Sequence, residues 1–109
     1  MEGLWSVAFS TQIGAGYGVV FFTSEVTFVG GDSAFYWTGS FSTNNGRANI
    51  KLDGHSHSGR PAPSVLGMTV KDFTLDLQGD MPASPGVGSS FKVSGPGGLV
   101  ATLTRRPYP

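Results

Sequence analysis

The chain has no cysteine among its 109 residues. Disulfides, thiolate metal sites and cysteine nucleophiles are therefore excluded. No apolar run approaches the ~18 residues that a transmembrane helix needs. The segment Met1–Trp5 lacks the basic start and apolar stretch of a signal peptide. These absences predict a cytoplasmic protein that makes no use of a membrane.

Charge is also scarce, since only 13% of the residues are charged and seven basic residues balance seven acidic ones. Binding to nucleic acid or to an anionic membrane through a large electrostatic surface requires a strongly positive net charge. The pair Arg105-Arg106 is only a weak signal of that kind. We therefore expect no direct nucleic-acid binding. Because so few charges keep the surface soluble, the sequence favours a surface that is partly covered by a binding partner.

Metal-ligating residues are few. His55 and His57 stand two apart on a predicted strand and share a face with Asp53. A zinc site needs three or four ligands with second-shell support, and the chain has no other histidine. The sequence favours a solvated strand end over a metal site, and predicts neither a metal nor a cofactor.

No catalytic pattern is visible either. The segment Gly14–Gly18 has the wrong spacing for a nucleotide loop and no helix follows it, so it is interpreted as a turn. Asp72, Asp76 and Asp80 all fall on the outer face of one predicted strand. There is no glycine-flanked nucleophile elbow with a partnered histidine. The sequence predicts a protein that is not an enzyme.

What the chain does have is alternation with a period of two. The clearest example follows the corner Gly30-Gly31-Asp32, where Phe35, Trp37 and Phe41 share one face and small polar residues share the other. This pattern is typical of a strand with one face in a core and one in water. Asp32 itself is expected to cap the corner through backbone hydrogen bonds. The alternative is that Asp32 is a polar anchor at a pocket mouth.

The pattern recurs along the whole chain, which predicts one all-β domain over residues 1–109. Asn45-Gly46 is a strong hairpin signal because both central residues of a type I′ turn need positive φ. Ser64–Met68 is long enough for one short helical turn. Eight short antiparallel strands favour an up-and-down barrel, because closure removes unpaired edges. A two-sheet sandwich is the alternative. The predicted strands are 4–10, 17–23, 26–30, 33–43, 47–57 and 70–79, and two more around Phe91 and Ala101.

The large inward side chains make the barrel interior a candidate site. Eight strands leave room either for packed side chains or for one small ligand. If the interior is open, an apolar ligand or lipid is expected to contact six aromatic residues. They are Trp5, Phe9, Phe21, Phe35, Trp37 and Phe73. The sequence leaves open whether these rings fill the barrel.

One strand is apolar on both faces, at Val19–Phe22. One interpretation is that the segment at Val65-Leu66 covers its outer face. The other is that Val20 and Phe22 point outward and form part of a homodimer interface, where exposed aromatic residues are common.

Several segments together resemble the GrlR-type negative regulator family, and they keep their order along nearly the whole chain. They are Glu2–Val7, Gly16–Val20, Gly30–Ser33, Tyr36–Gly39, Pro63–Val65 and Leu103–Arg106. The resemblance implies a small calycin-like, lipocalin-like barrel with one short helix that forms homodimers. It also implies that the protein acts by binding another protein, since the family's known member sequesters a transcriptional activator. That member uses an acidic run where this chain has Thr43–Gly46, so no binding residue is carried over from it.

Overall fold

The computed structural model describes residues 2–83 and 85–108. Within these ranges the strands, in chain order, are β1 (Gly3–Ser10), β2 (Ala15–Phe22), β3 (Thr27–Gly31), β4 (Phe35–Asn44), β5 (Arg47–Ser56), β6 (Ala62–Pro63), β7 (Thr69–Val70), β8 (Asp72–Asp80), β9 (Ser90–Ser94) and β10 (Val100–Arg105). A single 3-10 turn, Pro96–Gly98, precedes β10. In the described ranges no helix is long and apolar enough to cross a membrane.

Eight of these strands form a closed antiparallel barrel in the order β1-β10-β9-β8-β5-β4-β3-β2. The barrel closes where β1 pairs with β10, with Trp5 opposite Arg105 and Ser10 opposite Val100. The predicted eight-stranded antiparallel barrel is therefore confirmed. The sandwich alternative is wrong, because the sheet has no open side.

The alternation of the sequence becomes the two faces of the barrel wall. On β4, Phe35, Trp37 and Phe41 are buried, while Tyr36 and Thr38 are exposed. The hairpin between β4 and β5 turns at Asn45-Gly46, with φ values of 53° and 76°. Both values lie in the left-handed region, as the predicted type I′ turn requires.

The orientation predicted for β2 is wrong. Val20 and Phe22 are 4% and 1% exposed and lie inside the barrel, whereas Val19 is 50% exposed. The reason is that Gly16 and Gly18 share their face with Val20 and Phe22. That face must point inward, because large rings from β1 and β4 lie against both glycines. Val20 and Phe22 therefore cannot form an exposed dimer interface.

The segment after β5 also differs from the prediction. Ser64–Met68 forms the tight turn of the β6–β7 hairpin, and the short helical turn found in residues 2–83 and 85–108 lies instead at Pro96–Gly98. Gly67 has a left-handed φ of +86°, and the Ser64 hydroxyl donates to the Met68 carbonyl instead of capping backbone N–H groups. Val65 and Leu66 pack against the barrel core, so they do not cover the outer face of β2.

Charge is distributed unevenly around the wall. No residue of β1, β2, β3 or β4 is charged, and these four strands are neighbours in the barrel. The strands of the other half, β5, β8, β9 and β10, carry charged side chains at Arg47, Lys51, Asp53, Asp72, Asp76, Asp80, Lys92 and Arg105. We call the outer face of β1–β4 the uncharged wall.

Candidate functional site

The two ends of the barrel are built differently. At the end where β1 begins, Trp5 packs edge-on against Phe22 and Phe91, with ring centroids 6.3 and 5.5 Å apart. Phe22 in turn lies 5.4 Å from both Phe28 and Phe41. Such edge-to-face clusters pack densely and leave little space. This closed end is therefore filled with side chains.

Arg105 seals the closed end from outside. Its guanidinium lies 5.8 Å from the ring of Trp5, within cation–π range. Its two terminal nitrogens donate to the carbonyls of Glu2, at 2.6 Å, and Pro85, at 3.0 Å. Trp5 is fully buried by this arrangement. It does not line an internal cavity, although the sequence predicted a ligand contact for it.

The opposite end, where β1 ends and β2 begins, is open. It holds a cavity of about 240 Å³ that reaches down to the closed end. Four of the six predicted ligand contacts line it, namely Phe9, Phe35, Trp37 and Phe73. Phe21 does not, because it points outward and packs against Tyr108 with ring centroids 4.8 Å apart.

Glycines in the barrel wall give the cavity rings their positions. A Cβ atom on Gly16 would lie 2.7 Å from the ring of Phe9, and one on Gly18 would lie 2.6 Å from the ring of Trp37. Each ring therefore occupies the space beside a part of the wall that has no side chain. From the sequence, these glycines are expected in a turn, whereas both lie within β2. Their period-two spacing with Val20 was the signal that places them inside.

A small lid covers part of the open end. The β6–β7 hairpin, residues 62–70, places Val65 and Leu66 in the cavity lining. The Thr11 hydroxyl donates to the Val65 carbonyl at 2.7 Å and ties the hairpin to the β1–β2 turn. We call residues 62–70 the lid hairpin. From the sequence we expect one short helical turn at Ser64–Met68 and, in one interpretation, Val65-Leu66 on the outer face of β2, so neither the hairpin nor its place over the open end is predicted.

The mouth carries few polar groups. Asp32 lies there, and its Oδ1 accepts hydrogen bonds from the backbone N–H groups of Ala34 and Phe35, both at 2.8 Å. The predicted capping role of Asp32 is confirmed. The same residue also lines the cavity, beside Ser33, so the predicted alternative location at a pocket mouth is observed as well.

The two histidines lie on the outside of the barrel, next to Tyr36. The Nδ1 atom of His55 is 2.8 Å from an Asp72 carboxylate oxygen, and Nε2 of His57 is 2.9 Å from the backbone carbonyl of Asp32. Asp53 accepts a hydrogen bond from Thr74 instead of facing the histidines. In residues 2–83 and 85–108 no group of three or more His, Cys, Asp or Glu residues is placed to hold a metal ion.

The three spaced aspartates are exposed on β8, as expected from the alternation. Asp72 contacts His55, as described above. Asp80 forms an ion pair with Arg47 at 3.2 Å, and Asp76 lies opposite Lys51 on β5. These carboxylates are a solvated face and not part of the cavity.

No protein-family model matches the chain, and no curated protein matches it significantly. The resemblance to the GrlR-type regulators thus stays a prediction from the sequence.

Proposed function

We propose that this protein is a non-enzymatic binding protein that holds one small apolar ligand in the open end of its barrel, in the cytoplasm. The observation that carries the proposal is the cavity of about 240 Å³ with a mainly apolar lining. Ligand sites are typically concave and apolar with a few placed polar groups. The cavity with Asp32 and Ser33 at its mouth fits that description.

The size of the cavity limits the size of the ligand. An apolar cavity of about 150 Å³ stays dry and takes up benzene. In proportion, this cavity accommodates about ten non-hydrogen atoms. A short alkyl chain or a one-ring compound fits, whereas a long fatty acid does not. At about 0.6 kcal/mol per atom, such a ligand binds with a Kd on the order of 100 µM.

The test is a titration with 1-octanol, followed by tryptophan fluorescence. Trp37 lines the cavity and Trp5 does not, so a change in emission reports occupancy of the open end. Two Ala→Leu variants on neighbouring positions serve as a matched pair. Ala101→Leu adds volume inside the cavity, and Ala8→Leu adds the same volume on the outer face of β1.

We expect saturable binding in the wild type and in Ala8→Leu, and binding at least tenfold weaker in Ala101→Leu. Circular dichroism melting of all three proteins checks that they are folded. The proposal is overturned if the wild type shows no saturable change, or if all three proteins bind octanol equally.

A second candidate function is regulation through protein–protein binding as a homodimer, with a transcriptional regulator as the partner, as the family resemblance implies. The uncharged wall supports it, because Val19, Phe21 and Val29 lie side by side on its outer face. Apolar side chains grouped on an uncharged surface are typical of interaction sites. The two functions are compatible, since a ligand in the barrel can regulate the binding of a partner.

Sedimentation velocity tests this second candidate. We expect the wild type to have twice the chain mass and Val29→Lys to have the mass of one chain. Gln78→Lys introduces the same charge on the other half of the barrel and is expected to stay dimeric. A wild type of single-chain mass at high micromolar concentration contradicts the homodimer.

A further inference from the structure

We infer that the ligand carries a protonated amine, bound at Asp32, and that carboxylates are rejected. This inference rests on the proposed ligand-binding function and specifies its ligand class. The apolar part of the ligand occupies the open end of the barrel, and its cationic group stays at the mouth.

The first observation is the arrangement of the Asp32 carboxylate. Oδ1 is fixed by the N–H groups of Ala34 and Phe35, so the side chain is held in one position in the corner after β3. No described residue donates a hydrogen bond to Oδ2, and none forms an ion pair with Asp32. A fixed, half-buried carboxylate thus has one oxygen available for a ligand.

The second observation is the absence of a competing cation. Among the described residues that line the cavity, none is a lysine, an arginine or a histidine, and Asp32 is the only carboxylate. His57 contacts the backbone carbonyl of Asp32 and not its carboxylate. Among the described residues, the cavity lining therefore carries one negative charge and no positive one.

The third observation is the apolar wall next to that charge. Asp32 lines the same cavity as Phe35, Trp37 and Phe73, and a charge beside apolar side chains is screened less than one in bulk water. An opposite charge on the ligand is favoured there, and a like charge is disfavoured. The hydroxyl of Ser33, also in the lining, can accept a further hydrogen bond from an ammonium group.

The experiment compares three ligands with the same alkyl chain: octylamine, 1-octanol and octanoate. Each is titrated against the wild type and against Asp32→Asn at constant ionic strength. Asparagine keeps an Oδ1 acceptor for the two N–H groups and removes only the charge. Asp76→Asn is the matched control, because it removes an exposed charge that does not line the cavity.

In the wild type and in Asp76→Asn we expect octylamine to bind at least tenfold more tightly than octanol, and octanoate at least tenfold more weakly. In Asp32→Asn the amine is expected to lose that advantage while octanol binding stays the same. Equal affinities for amine and alcohol in the wild type, or an unchanged preference in Asp32→Asn, overturn the inference and leave the proposed function standing. If none of the three ligands binds the wild type, the proposed function fails with it.

Discussion

At the scale of single residues, the interior is organised by contacts between rings and glycines. The pairs are Phe9 with Gly16, Trp37 with Gly18, Phe28 with Gly39 and Phe73 with Gly54. In each pair the aromatic ring covers the backbone where a side chain is missing, a device that stabilises glycine in strands. Large rings can therefore fit beside one another inside a small barrel, as Phe9 and Trp37 do with ring centroids 5.9 Å apart.

Gly54→Ala tests this arrangement. The added Cβ would overlap the ring of Phe73, which would have to move into the cavity. Overpacking of this kind costs about 1–3 kcal/mol of unfolding free energy. We expect urea denaturation to show a loss of this size, together with weaker octanol binding. Gly14→Ala is the control, since its Cβ would meet no atom within 4 Å. Equal stability of both variants contradicts the ring–glycine contact.

The β4–β5 turn gives a second prediction at this scale. Gly46 has a φ of +76° and open space around its Cα, so only backbone strain opposes a side chain there. Gly46→Ala is expected to lower the free energy of unfolding by about 1 kcal/mol. Gly86→Ala, which also has open space but no left-handed φ, should leave the urea midpoint nearly unchanged. The strain argument fails if both variants unfold at the same midpoint.

At the scale of elements, the lid hairpin is a two-stranded sheet separate from the barrel, held to it by side-chain contacts. Thr11 lies in the β1–β2 turn, and its hydroxyl donates to the Val65 carbonyl of the lid hairpin. The side chain of Ile13, in the same turn, lies close to Gly67. An element that does not share the strand pairing of the barrel opens more readily than the barrel strands. The lid hairpin is therefore the part of the open end that can move when a ligand binds.

Thr11→Val removes the hydroxyl with almost no change of shape. Each hydrogen bond of this hydroxyl corresponds to about 0.5–1.5 kcal/mol, and only the bond to the Val65 carbonyl holds the lid hairpin. The Thr11 hydroxyl also accepts a hydrogen bond from the Ile13 N–H at 3.3 Å, so the β1–β2 turn loses a contact too. We expect amide hydrogen exchange to become roughly 2- to 10-fold faster at residues 64–68 and also faster at Ile13, with β4 and β5 unchanged. Thr43→Val changes a hydroxyl that makes no hydrogen bond among the described residues. Unchanged exchange in the lid hairpin of Thr11→Val would show that the hydrogen bond does not hold it.

The strands also show what sequence can predict at this scale. Strands such as β4 and β5 alternate between large apolar and small or polar residues, so their inward faces were predictable. In β2 the run Val19–Phe22 is apolar on both faces, and hydropathy cannot select either face. Side chains alternate between the two faces of a strand, so choosing the wrong starting residue exchanges the inward and outward sets. For this reason the sequence predicts the wrong face for Val20 and Phe22.

At the scale of the whole molecule, the barrel has one filled end and one open end. Its closure follows from the number and alternation of the strands, which the sequence contains. The presence of the cavity cannot be predicted from the sequence in the same way. It depends on how many of the aromatic rings pack at each end of the barrel. The sequence placed Trp5 and Trp37 in one interior, but only the strand register separates them into a closed end and a cavity wall.

Matched substitutions at the two ends test this division. Trp5→Phe and Trp37→Phe each remove part of a buried ring and are expected to lower the unfolding free energy by about 1–3 kcal/mol. Only Trp37→Phe should also change the Kd for octanol, measured by calorimetry, because only Trp37 lines the cavity. A change in octanol affinity of similar size in Trp5→Phe would mean that the two ends are not independent.

The uncharged wall has a consequence for the kinetics of any association that uses it. The strands β1–β4 carry no charged residue, although Arg106 donates a hydrogen bond to the Ser6 hydroxyl on β1 at 2.7 Å, so the electric field of that surface guides a partner only weakly. Unguided encounters proceed at about 10⁵–10⁶ M⁻¹s⁻¹ and vary little with ionic strength. The lifetime of such a complex, and not its rate of formation, would then set its affinity.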